Sequence, residues 1–95
     1  MTPQEVTRDD VVTTALAWAE KFKVQATPRD CQVRQHPTHL IINESQGKTV
    51  LPGIVWKWDV VISAKSPPNP RPGRYLVPVE FLSDAICAMD FRPLA

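Results

Sequence analysis

The sequence predicts an α+β fold. One amphipathic helix covers a four-stranded, mostly antiparallel sheet, and a short second helix closes the chain, giving the order α-β-β-β-β-α. Three observations lead there. Apolar residues recur at three- and four-residue steps near the start, the period falls to two from Cys31 onward, and the strands are grouped rather than alternating with helices. Grouped strands pair antiparallel and leave one sheet face for the helix to cover. A chain of 95 residues has material for one modest core, so a single domain over residues 1–95 is expected.

The first helix is marked by its caps. In "VTRDDV", Thr7 can serve as N-cap with Asp10 answering it at N3, while Val6 and Val11 fall where a hydrophobic staple belongs. Asp9 and Asp10 also complement the positive end of the helix dipole. A second start is open at "TPQE", with Thr2 as cap and Pro3 at N1. Val11, Val12, Ala15, Trp18, Ala19 and Phe22 form the apolar stripe. The helix should fade over Val24 to Thr27, because Pro28 disfavours a helical residue before it.

Extended structure follows in "CQVRQHPTHLIIN", where Pro37 implies an edge, a bulge or a bend. "NESQGK" reads as a turn with Gly47 suited to a positive φ, "TVL" as a short strand, and "PG" at 52–53 as a bend. The strongest strand is "IVWKWDVVISA". Ile54, Trp56, Trp58, Val60, Ile62 and Ala64 point one way, and Val55, Lys57, Asp59, Val61 and Ser63 the other. "YLVPVEFL" alternates Tyr75, Val77, Val79 and Phe81 against Leu76, Pro78, Glu80 and Leu82, and Pro78 places this strand at an edge or a bulge. Ser83 then caps a short helix, "DAICAMDF", ended by Pro93.

Composition narrows the function. A formal net charge of +1 argues against a strong sequence-independent grip on DNA, although residues 31–74 carry a net +4 between flanks of −1 and −2. No apolar run is long enough to span a bilayer and the start lacks the pattern of a secretion signal, so no membrane partner and a cytoplasmic location are expected. Cys31 and Cys87 are too few and too scattered for a secreted disulfide framework and read as reduced thiols. Cys31, His36 and His39 are zinc-binding types, but strand residues three apart face opposite ways, so no metal site is expected. Trp56 and Trp58 around Lys57 could stack bases, yet they share a face with Val60 and Ile62, which favours core. Asp59, Glu80, His36, His39 and the cysteines include catalytic types without a spacing that forces any pair together, and none of the three glycines falls in a phosphate-cradling pattern. Neither an enzyme nor a cofactor is expected.

The remaining feature is "SPPNPRPGR", which puts Pro67, Pro68, Pro70 and Pro72 between two strands. In a polyproline course residues 66–72 reach roughly 22 Å, far more than neighbouring strands need. It serves either as a pre-stiffened docking element or as a device that stiffens an edge. The sequence therefore points to a protein-binding module, an adaptor, inhibitor or assembly subunit, whose contacts come from Lys65, Pro67, Pro68, Pro70, Arg71, Pro72 and Arg74 on an acidic or aromatic groove of a partner protein. The alternative is a nucleic-acid-binding module that uses the same basic surface. Self-association is also expected, because strand edges can extend a small core by a two-fold contact.

Overall fold

The computed structural model describes residues 3–36, 39–44, 47–52, 56–65 and 72–94. The helix start agrees with its cap signal. A 3-10 turn at Pro3–Glu5 leads into helix α1, Arg8–Glu20. The Thr7 hydroxyl accepts from the Asp10 N–H at 3.2 Å, and the Asp10 carboxylate accepts from the Thr7 N–H at 2.9 Å. Val11, Val12, Ala15 and Ala19 are buried along one side, while Trp18 is half-buried and Phe22 is 46% exposed. The helix ends earlier than Pro28 alone would require. Lys23 takes φ 63, so the Lys23 N–H reaches the Glu20 carbonyl and the Val24 N–H reaches Ala19, which is the Schellman pattern of bonds. Pro28 instead opens a 3-10 turn, Pro28–Asp30.

Seven strands follow: β1 Cys31–Gln35, β2 His39–Glu44, β3 Gly47–Pro52, β4 Lys57–Ala64, β5 Gly73–Leu82, β6 Ala85–Ala88 and β7 Arg92–Leu94. Five of them form an antiparallel sheet in the order β1-β4-β5-β6, with β7 also paired to β5. β2 and β3 form a separate hairpin. The α+β class holds, with one sheet enlarged and one strand pair set apart. The stretch expected to run extended from Cys31 to Asn43 divides between the two sheets, and Pro37 itself lies outside the described residues, as do the "PG" bend and the centre of the "NESQGK" turn.

The C-terminal helix is not formed. Ser83 takes φ 59 and, with Asp84, makes a two-residue turn, so Ala85 returns opposite Leu82 and Ile86 opposite Phe81. Ser83 is a turn residue there rather than a helix cap, and a positive φ at the first loop position suits the right-handed twist of a hairpin. Pro93, expected to end the helix, instead sits in β7 opposite Tyr75. A second correction concerns β5, expected at an edge or a bulge because of Pro78. It is central, with β4 on one side and β6 and β7 sharing the other. Pro78 falls at the interruption between those two, where its carbonyl accepts from the Met89 N–H at 2.8 Å. The missing proline donor costs little at a break in the ladder.

Between α1 and the sheet, Val60, Ile62, Val77 and Val79 are fully buried beside Val11 and Ala15. Trp58 is buried in this core and Trp56 is half-buried against it. A run of rings closes one end: Trp18 to Phe22 at 5.6 Å, Phe22 to Phe91 at 4.4 Å, and Phe91 to Tyr75 at 4.8 Å.

Candidate functional site

Alternation turns half of each strand away from α1, and the register assembles that half into one surface. Arg34 lies opposite Asp59, which lies opposite Pro78. Gln32, Val61, Leu76 and Arg92 form the next row, while Lys57, Glu80 and Cys87 form the row on the other side. A cleft of about 600 Å³ opens on this face, lined by His36, Asp59, Leu76, Pro78, Met89 and Arg92 among others. Leu76 and Pro78 give it an apolar floor. Its walls are charged side chains that are already paired.

His36 is held twice. Its N–H donates to the Lys57 carbonyl at 2.9 Å, and its ring Nε2 lies 2.6 Å from Asp59 Oδ2. Lys57 Nζ stands 3.4 Å from Glu80 Oε1 directly across the sheet, and Arg92 Nε stands 3.1 Å from Asp90 Oδ2. Exposed pairs of this kind add little stability, typically about 0–1 kcal/mol each. They fix the direction of charges, which matters more to recognition than to folding. The two signs are mixed along the cleft, so it presents no continuous basic track of the sort a phosphate backbone needs.

An imidazole oriented by a carboxylate is two parts of a nucleophilic triad. Among the described residues neither cysteine is placed to be the third. Cys87 shares a row with Glu80, Lys57 and His36, so three inter-strand steps, about 14 Å, separate the thiol from the ring. Cys31 sits on the other face, where burial pushes its thiol above the ordinary value of 9.0, with the Asp30 charge adding to the shift. Cys31 and His36 thus point to opposite sides of the sheet, and no group of three His, Cys, Asp or Glu side chains converges among the described residues.

Of the residues singled out in the sequence for partner binding, Lys65, Pro72 and Arg74 are described. Pro67, Pro68, Pro70 and Arg71 lie outside the described residues. Lys65 is exposed, with Nζ 3.7 Å from Asp30 Oδ1. Asp30 is itself held below its ordinary value of 3.8, first by the Thr27 N–H at 2.9 Å, then by the Thr27 hydroxyl, with Lys65 assisting. Pro72 is exposed just before β5. Arg74 is the informative member. It heads the column Arg74, Leu76, Pro78, Glu80 on the outward side of β5, so the exit of the proline-rich connection runs directly into the cleft. The His36–Asp59 pair was not visible in the sequence, since it depends on the β1–β4 register across 23 residues. Neither family models, nor curated proteins, nor solved structures match this chain.

Proposed function

We propose that this chain is a protein-binding module that docks through the outer face of its sheet, with the proline-rich connection as one border of the contact. The placement of Arg74 carries the reading: a basic residue leaving a stiff connection continues into an apolar floor walled by oriented charges of both signs. Such a mixture, apolar at the centre and charged at the rim, suits a protein surface. Lys65, Pro72 and Arg74 supply the described part of the contact, and Pro67, Pro68, Pro70 and Arg71 are proposed to supply the rest to an acidic or aromatic groove. Binding rather than catalysis is proposed, since among the described residues neither cysteine comes within reach of the oriented His36.

A photo-crosslinking residue in place of Leu76 tests this in the native host. The expected product is a discrete covalent protein adduct that fades when Arg74→Ala is added. Adducts to RNA or DNA alone would replace the reading with the nucleic-acid alternative. Absence of any adduct from the folded protein would remove the outer face as a docking surface.

A further inference from the structure

A second cleft lies on the other side of the molecule, where α1 overhangs the end of the sheet. Thr13, Thr14, Ala17, Trp18 and Lys21 line it from the helix, and Ile86, Cys87 and Ala88 from β6, around a volume of about 470 Å³. Ile86 and Ala88 pack against the core while Cys87 shares the outward row with Glu80. All three can line one cleft only if it opens on the outer edge of the strand. That edge is unpaired: among the described residues β6 bonds to β5 alone. Four strand residues present about 13 Å of backbone, and the helix from Thr13 to Lys21 runs alongside for about 12 Å. The cleft is therefore the size of one short added strand.

Two polar groups there lack acceptors. Among the described residues the Trp18 indole N–H is buried with no hydrogen-bond partner. Lys21 sits with Nζ 5.0 Å from the centre of the Trp18 ring and is in no ion pair recorded among the described residues. A carboxylate on an incoming strand would give Lys21 an ionic partner.

The chain carries such a strand. Among the described residues β2 and β3 pair only with each other, in the register Leu40 opposite Leu51 and Ile41 opposite Val50. A two-stranded hairpin alone is marginal in water, and each of its outer edges offers unpaired backbone groups. β2 ends in Glu44, the one anionic residue of the hairpin strands. The chain is also extended. Its radius of gyration is 15.5 Å, against about 12 Å for a compact chain of this length. Its accessible surface is 6601 Å², roughly 1,100 Å² above the norm for its mass. A standard interface buries about 800 Å² per partner, so the excess is large enough to supply one.

We infer that the β2–β3 hairpin of a second copy adds a strand to the β6 edge beneath α1, with Glu44 at Lys21, and that a reciprocal exchange closes the pair by two-fold symmetry. The inference is independent of the outer-face reading, since the two clefts lie on different surfaces. Sedimentation equilibrium of the intact chain at about 100 μM is expected to give twice the chain mass, and those β6 amides that point away from β5 should exchange slowly until the sample is diluted. Ala17→Arg, at an exposed helix position that lines the cleft, should raise the dissociation constant at least roughly tenfold with the melting temperature of the diluted monomer unchanged. Thr13→Arg serves the same purpose if that variant does not fold. Lys21→Glu should weaken the dimer, and adding Glu44→Lys should restore it. A monomer at the higher concentration, a dimer indifferent to Ala17→Arg and Thr13→Arg, or a charge exchange without rescue would overturn the inference.

Discussion

Lys23 and Cys31 are two residues whose surroundings make opposite demands on their chemistry. At Lys23 the backbone takes φ 63 to close the end of α1, a conformation in which any Cβ is unfavourable and glycine is the usual occupant. Lys23→Gly is therefore expected to stabilise the fold by about 0.5–1 kcal/mol, the gain in the folded state being partly offset by a more flexible unfolded chain. A urea midpoint that falls instead would show that the lysine side chain contributes more than its backbone costs. At Cys31 burial keeps the thiol protonated in the folded protein, so its folded pKa exceeds the 9.0 of an ordinary thiol. The unfolded chain then loses that proton first as pH rises. Stability linked to Cys31 is thus whole below pH 9.0 and declines above it. Between about pH 8 and pH 10 the parent should lose more stability than Cys31→Ala does, and an alkylating reagent at neutral pH should label Cys87 well before Cys31. Equal alkaline slopes for the two proteins would exclude this account.

Elements follow the sequence where their signals are local and depart from it where pairing decides. The start of α1 was legible because Thr7 and Asp10 are three residues apart and bond each other wherever that helix forms. The end of the chain was not. "SDAICAMDF" carries a serine cap and an acidic first turn, but Leu82, Phe81 and Glu80 are already extended beside it, and a tight turn at Ser83 lets Ala85 to Ala88 complete their open side. A ladder along an existing strand prevails over a helix of about two turns, which has little stability by itself. The outward row Lys57, Asp59 and Ser63 was likewise legible from alternation, whereas the partners it meets on β1 and β5 were fixed only by register. Phe91 shows what the strand outcome achieves. Leaving β6, the chain brings this ring between Phe22 and Tyr75, joining the helix end to the sheet. Phe91→Ala should cost about 2–3 kcal/mol, from lost ring contacts and a partly filled cavity, while Met89→Ala at an exposed neighbour should stay within about 0.5 kcal/mol. Similar midpoints for the two variants would mean that the rings touch without contributing.

The whole molecule turns on the connection between β4 and β5. Ala64 and Gly73 are directly opposed in the ladder, so residues 65–72 leave and return to neighbouring points that two residues could join. Surplus length costs little, about 0.6 kcal/mol for each doubling, and stiff prolines recover part of that by restricting the unfolded chain. The connection is therefore compatible with either a docking role or a purely mechanical one. A single replacement, residues 66–72 by a short glycine-serine linker, separates them. If the prolines only stiffen the chain, each well-fitted one lost should lower stability by roughly 0.4–1 kcal/mol while the folded fraction keeps its partner affinity. If they form the border of the outer face, the sheet should remain nearly as stable and partner binding should fall sharply. Arg74→Ala refines the second case, because a charge at the rim of a contact acts first on association: the rate should drop and its dependence on salt should weaken, with dissociation little changed. A linker variant that melts lower yet binds its partner as tightly as the parent would end the docking role of the connection and leave the sheet face to act alone.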